Sequence, residues 1–399
     1  MKKKISSCII VFLLFPTLCG CWSIKEITNM YYAHTLGIDY KKGSYTIYVS
    51  LLYFPHLAKA ESGGQQSSSS RIWIGKGKGR TVDEAIHDIY KTSDRRIYWG
   101  HMETLVFTDE ALKYGVDEVV NFLARYSEIR YTLWMYSTRE QPDKLLATIP
   151  ILFESPVFSV LGSPNDRYEQ RSYVEPKSMQ EVLRENHRLS TTALLPELSI
   201  SKGRWESEKQ KFDALMMDSV NVLVENRWKG RISGRGLNGY RWMNENSKRM
   251  LLTGSLGKDK LFDVIFYNPK VKVDYTIKGD RIVCNVHVKT HGAILGVTSA
   301  LTERGIRRKA EAMIAEEIRH TYEEGIKIKA DFYSLLNGLY IKRPKEFHRL
   351  TANGRFPLTK ESLNIKVTAN IKTSEQLRLK GGAPLTKKSA PNESEPGSK

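Results

Sequence analysis

Arg281-Ile-Val-Cys-Asn-Val-His-Val-Lys289 alternates apolar and polar side chains along its length, and shortly after it the spacing changes. Successive side chains of an extended chain point to opposite sides, so Ile282, Cys284, Val286 and Val288 fall on one face of a strand. In residues 302–329 the apolar positions Ile306, Ala310, Met313, Ile314 and Ile318 recur every three to four residues, which places one stripe along a helix. A sheet with one face to cover and a long helix with one stripe to bury solve each other's problem as stacked layers. The stretch therefore predicts an α+β (mixed α/β) fold, with antiparallel-rich sheets and a long C-terminal helix. Within it, Cys284 reads as a buried core thiol rather than a nucleophile.

Working outward, residues 262–267 and 271–277 read as strands before this run. A short helix at 332–339 and a last strand at 363–371, with Ile365, Val367, Ala369 and Ile371 alternating, follow the long helix. Upstream, residues 212–217, 220–225 and 227–232 form an antiparallel group, with 250–256 as a candidate addition. Helices are expected at 144–152 and 178–189, separated by an irregular stretch containing Pro156, Pro164 and Pro176. In the N-terminal part, residues 31–38 and 44–53 make a hairpin around a turn at 39–43, and 61–70 is a Gly/Ser/Gln-rich loop. A strand at 71–74 leads into Gly75-Lys-Gly-Lys-Gly79, read as a tight basic turn. A helix then covers 82–91, with Thr81 and Glu84 as its capping box. Strands at 103–107 and 131–136 flank a helix at 116–126. The division expected is a signal peptide at 1–20, an N-terminal α/β domain at 21–150, a middle domain at 151–260, a C-terminal α/β domain at 261–373 and a disordered tail at 374–399.

The chain begins Met-Lys-Lys-Lys, continues with the apolar run 5–15 and ends this opening with Leu18-Cys19-Gly20-Cys21. A cationic start, an apolar core of about eleven residues and a small residue before the cut describe a secretory signal. The run falls short of the roughly twenty apolar residues a bilayer span needs. Leu18-Cys19-Gly20-Cys21 resembles a bacterial lipobox, with cleavage between Gly20 and Cys21 and lipid on Cys21. Two acyl chains suffice for firm anchoring, since each buried CH2 contributes ~0.8 kcal/mol. Cys8 and Cys19 leave with the signal, so Cys284 is the one other cysteine of the mature chain and no internal disulfide forms.

About 380 residues remain after cleavage, enough for two or three domains. The formal charge of +18 falls to about +15 without Lys2, Lys3 and Lys4. Export argues against nucleic acid as the partner of this excess; an anionic lipid surface or wall polymer is the natural neighbour, beside the plain alternative of a solvated basic surface. The sequence carries no positive sign of an enzyme. Gly75–Gly79 lacks the Gly-Lys-Ser/Thr ending of a phosphate loop and misses the dinucleotide spacing. His287 and His291 share a strand face, and His101 lies two before Glu103, but neither matches a zinc-hydrolase pattern and no third ligand is indicated. No catalytic and no metal residues are assigned, and no cofactor. Arg95, Arg96 and His101 lie in Ser93-Asp-Arg-Arg-Ile-Tyr-Trp-Gly-His-Met-Glu103, dense in arginine and aromatics, and are the candidate partner contact. The alternative puts Tyr98 and Trp99 in the core and leaves the arginines in water.

Residues 20–27, 79–85, 95–101, 213–257 and 316–344, taken in that order, resemble stretches of the Ger(x)C family of spore germination lipoproteins. Gly20-Cys-Trp-Ser-Ile-Lys-Glu-Ile27 is similar to the family's Gly-Cys-Trp-Asp-x-x-Glu-Ile opening, with Ser23 in place of the acid. Gly79-Arg-Thr-Val-Asp-Glu-Ala85 resembles its helix start, and Arg95-Arg-Ile-Tyr-Trp-Gly-His101 its Arg-x-x-Tyr/Phe-x-Gly-His segment. Residues 213–257, with Gly236, Tyr240 and Gly254, resemble its middle portion, and 316–344 its C-terminal domain. The resemblance covers nearly all of 21–372. It implies a three-domain, exported, non-enzymatic lipoprotein, the C subunit of a nutrient germinant receptor. Such a subunit sits on the outer face of the inner spore membrane with two integral membrane subunits of A and B type. Two other readings of the chain are a lipid-anchored solute-binding protein, expected to carry a deep interdomain pocket, and a cell-wall hydrolase, expected to carry a cleft with paired acids.

Overall fold

The computed structural model describes residues 30–52, 72–298 and 301–372. Gly20, Cys21, the 61–70 loop and the 374–399 tail lie outside the described residues. The described chain is built on two sheets. The hairpin opens the first: β1 (Met30–Lys41) and β2 (Ser44–Leu52) pair antiparallel. The expected five-residue turn is shorter, because Asp39, Tyr40 and Lys41 stay in register with Thr46, Tyr45 and Ser44. Lys42 and Gly43, at φ 51° and 74°, make a two-residue turn whose left-handed conformation suits the twist of a hairpin.

The expected basic turn at Gly75–Gly79 is instead strand β3 (Trp73–Gly79), which pairs with β2 from Leu51 back to Tyr45. The reason is steric. Helix α1 (Val82–Tyr90) lies directly against the strand, and a Cβ on Gly77 would fall on the carbonyl of Ala85, one on Gly79 on the backbone of Glu84 and Ala85. Alternating glycines let a helix approach a strand at backbone distance, so the pattern encodes close packing rather than a bend. Thr81 caps α1 by accepting from the Glu84 N–H at 3.2 Å; Glu84 in return accepts from Arg80 N–H at 2.8 Å, one residue before the cap.

The sheet continues with β4 (Arg96–Tyr98) and β5 (Thr104–Thr108), both parallel to β1, then β6 (Trp134–Thr138) and β7 (Ala193–Ser207), each parallel to its neighbour. Antiparallel β8 (Gln210–Val224) and β9 (Arg227–Ser233) close it. The strands expected at 212–217 and 220–225 are one, ending at Val224, with a register shift opposite Glu197–Leu198 absorbing the break in the pattern. Helices α2 (Asp109–Tyr114), α3 (Asp117–Ala124), α4 (Pro142–Leu146), α5 (Asn165–Gln170) and α6 (Met179–Asn186) connect these strands. The helix expected at 144–152 stops at Leu146, ahead of Pro150. Both faces of the sheet are covered. Leu105 and Phe107 of β5 join α1 and α3 in one core, and Val106 points the other way, to Tyr136, Leu145 and Phe332. This is why β5 reads as an unbroken apolar run. The sheet runs across the expected 150/151 division.

The second sheet holds β10 (Met250–Ser255), β11 (Leu261–Lys278), β12 (Arg281–Val297) and β13 (Leu363–Lys372), in that order, with only β12 and β13 parallel. Residues 250–256 thus pair with β11, not with the 212–232 group, because Met250 and Leu252 face the helix layer of this core. The strands expected at 262–267 and 271–277 are one strand with a shift between Tyr267 and Lys270. After α7 (Tyr240–Met243), helix α8 (Glu303–Lys327) lays Ile306, Ala310, Ile314, Ile318 and Tyr322 on the sheet. The turns α9 (Leu335–Lys342) and α10 (Pro344–Leu350) complete the layer. Among the described residues no helix is long and apolar enough to cross a membrane.

Candidate functional site

The Arg95–His101 segment lies where the described chain begins. Its strand β4 runs parallel to the first three residues of β1, with Met30, Tyr31 and Tyr32 opposite Arg96, Ile97 and Tyr98. Ile97, Trp99 and Met102 are buried, and the Trp99 indole donates to the Tyr90 hydroxyl at 3.0 Å. Arg95, Arg96 and His101 are exposed. The Arg95 guanidinium stands 5.9 Å over the Tyr31 ring, and His101 packs edge-on against Tyr32 at 5.1 Å and Tyr98 at 5.8 Å. The segment is therefore divided: its Trp builds the core, while Arg95, Arg96 and His101 form an outer edge in which Arg95 and His101 lie against tyrosine rings.

The other sequence candidates separate in space. His287 and His291 sit on the uncovered face of β12, where His287 Nε2 meets the Thr368 hydroxyl at 2.9 Å and His291 stacks on Tyr267. Partial burial, together with neighbouring Lys289, Lys366 and Lys272, pushes the His287 imidazole below its ordinary range. Cys284 is fully buried, and burial pushes its thiol up to about 12, so it is an inert core residue. Among the described residues no three His, Cys, Asp or Glu side chains are grouped to hold a metal.

Two features have no local signature in the sequence. The first is a buried polar row under β6–β9. Glu197 of β7 pairs with Arg139 at 3.1 Å and with Arg231 of β9, whose Nη2 also donates to Ser219 at 2.6 Å. Beside it, Asn221 donates to Asp109 at 3.1 Å and Ser137 at 2.9 Å and accepts from the Trp228 indole at 2.6 Å. Burial raises the Asp109 carboxyl. Every member of the row finds a partner within it, which marks it as a structural tie between α2 and the sheet.

The second feature is a crevice of about 340 Å³ between the two cores. One wall is the end of α5 and the residues after it, Arg171 to Tyr173; the other is Arg241 of α7, Arg249 and the outward faces of β10–β12. Backbone bonds hold the walls together: Ser172 N–H donates to the Arg249 carbonyl at 2.9 Å, and the Ser172 hydroxyl accepts from Lys248 and Arg249 N–H at 2.8 and 3.0 Å. Arg241 Nη2 donates to both oxygens of Glu317, and its Nη1 donates to the Leu251 carbonyl. Arg171 lies 4.7 Å over the Tyr173 ring. Arg171 and Arg249 come from distant parts of the chain, so only the fold brings them together.

Comparison with known proteins gives two family matches in sequence order. The spore germination protein N-terminal domain matches residues 23–200, and the spore germination B3/GerAC-like C-terminal domain matches 219–375. The spore germination protein KC of Bacillus subtilis (strain 168) is 20% identical over 372 residues, 88% of this chain and 90% of that one. YfkR of the same organism is 27% identical over 149 residues, which span 39% of its length. The crystal structure of the GerBC protein shares the fold, with a TM-score of 0.50 at 15% identity, covering 85% of this chain and 96% of that one. The nine-stranded sheet draws strands from both matched regions, and the crevice has one wall in each.

Proposed function

The chain belongs to the Ger(x)C family of spore germination proteins, and from that premise we propose that it is the non-enzymatic lipoprotein subunit of a nutrient germinant receptor. The observation that carries the reading is the pair of family matches, which account for both halves of the chain in the right order. Lipid on Cys21 holds the protein on the outer face of the inner spore membrane. Nine residues from Cys21 to Met30 span at most about 30 Å in any conformation. The β1–β4 edge, with Arg95, Arg96 and His101, is thus tethered within reach of the membrane and of the two integral subunits it would dock against. Arginine backed by an aromatic ring is the kind of group that anchors protein interfaces. Chemistry argues against a thiolate nucleophile: the mature chain's remaining thiol, Cys284, is buried, and its pKa is pushed up to about 12.

The test is a pull-down from spore membranes with wild type and with Cys21→Ala, co-purifying proteins being identified by mass spectrometry. Wild type is expected to bring down multi-pass subunits and the variant to be lost from the membrane fraction. Wild type arriving alone sinks the receptor reading. Arg95→Ala with Arg96→Ala is expected to weaken that assembly while leaving the melting temperature unchanged.

A further inference from the structure

We propose that the crevice between the two cores is a binding site for a small carboxylate carrying a short aliphatic group. Its volume, about 340 Å³, lies at the lower end of the range for small-ligand sites, roughly 300–1,000 Å³. The charge of its rim is uncompensated. Arg241 is committed to Glu317, but among the described residues Arg171 and Arg249 make no ion pair. Arg167, one turn before Arg171, is lowered from its ordinary value by burial and then by the repulsion of Arg171. The two carboxylates that act on Tyr173 are already engaged: Glu317 by Arg241 and the Trp242 indole, and Asp218 by the Ser219 hydroxyl.

An incoming anion would therefore relieve the repulsion between Arg171 and Arg167, and a guanidinium offers a carboxylate a two-pronged hydrogen bond. Arg171 needs little ordering for this, since the Tyr173 ring already holds it. The remaining wall sets the rest of the ligand. Leu251 and Leu295 are about half exposed; Ile265 stands opposite Leu251 on β10 and opposite Ala293 on β12, two residues before Leu295, and forms the buried floor beside them. An aliphatic group of about five carbons laid on the two leucines removes apolar surface from water at about 25 cal/mol per Å². Inorganic phosphate would meet the cations and leave this wall wet; a neutral isostere would do the reverse. A ligand held by Arg171 on one side and by Arg249 and Leu251 on the other also bridges the two cores.

The test uses the full chain with three probes: 4-methylpentanoate, its neutral amide and inorganic phosphate, each titrated while melting temperature and binding heat are recorded. The carboxylate is expected to bind saturably and at least tenfold more tightly than the amide or phosphate. In Arg171→Gln/Arg249→Gln its affinity should fall at least tenfold while the unliganded melting temperature stays put. Should the double variant melt early, Arg249→Glu alone, at an exposed position, is expected to show the same loss. Equal response to amide or phosphate, or binding that survives these substitutions, overturns the proposal. The receptor reading does not depend on the outcome, because the pull-down tests it separately.

Discussion

Glu197 and Asp331 are both buried acids, and the fold treats them in opposite ways. Glu197 sits in the middle of a sheet, where neighbouring strands deliver side chains at fixed lateral spacing. Arg139 follows β6 on one side and Arg231 stands on β9 on the other, two strands away. The intervening residue of β8 is Ser219, paired with both Glu197 and Ser233, and its small side chain lets the arginine cross above it. Asp331 follows a helix, in a loop, where only backbone donors are within reach. One of its oxygens accepts from Leu336 N–H at 2.7 Å; the other has no partner among the described residues. Burial pushes its carboxyl from 3.8 up to about 6. A sheet can import countercharges for a buried acid, whereas a loop can offer only dipoles, and the proton makes up the difference.

The largest expected effect comes from removing the sheet's acid. Glu197→Ala leaves Arg231, whose side chain is 22% exposed, beside Ser219 with its charge unmatched. A loss of about 3 kcal/mol is expected, the lower part of the range for breaking a buried pair, because Arg139 is open enough to rehydrate. The midpoint of urea unfolding measures it. Adding Arg231→Met should recover part of the loss, since the orphaned charge then disappears. A single-variant loss under about 1 kcal/mol would mean that the pair contributes no more than an exposed one and that the contrast with Asp331 is empty.

Asp331→Asn should act in the other direction and only above a threshold of pH. A carboxyl whose pKa is higher in the folded state holds its proton better there. Its stabilising contribution is complete below about 4 and is lost as pH rises through about 6. Above that, ionisation in place costs up to about 3 kcal/mol, because raising a pKa by one costs ~1.4 kcal/mol. The amide still accepts from Leu336 N–H and carries no charge. The variant is expected to match wild type at about pH 4 and to exceed it by about 2 kcal/mol at about pH 8. Cys284 and Tyr275 face the same pocket, but both are pushed up to about 12 and stay neutral across this window. Equal stability of the two proteins at the higher pH would show that the carboxylate finds a partner after all.

What the sequence discloses follows the same division between local and distant causes. The alternation at Ile282, Cys284, Val286 and Val288 and the stripe from Ile306 to Ile318 are local patterns, and both lie buried where the pattern puts them. Gly75–Gly79 misleads because glycine marks a turn and a close approach alike, and only the position of α1 separates them. Residues 250–256 carry a strand pattern with no sign of which sheet receives it. The Arg95–His101 segment is legible as dense in arginine and aromatics, and its division into core and edge comes from β4 pairing with Met30–Tyr32. The crevice is the least legible, since Arg171 and Arg249 converge only through the Ser172 bonds.

The smallest effect separates the charge of Asp331 from the seam it occupies. The Thr192 hydroxyl, from the start of the first sheet's β7 region, donates to the Asp331 carbonyl at 2.8 Å, and Thr192 N–H donates to Ser334 at 3.0 Å. Thr192→Val keeps the volume and the backbone bond and removes one hydroxyl donor. The carbonyl still accepts from Ser334 N–H at 2.8 Å, so no buried group is orphaned. The expected cost is about 1 kcal/mol, the net worth of one hydrogen bond, and it should be the same on either side of the Asp331 titration, at about pH 5 and about pH 8. A cost that grows with pH would mean that the seam gives way when the carboxylate ionises. The loop would then be answering the charge by moving, where the sheet answers Glu197 by holding still.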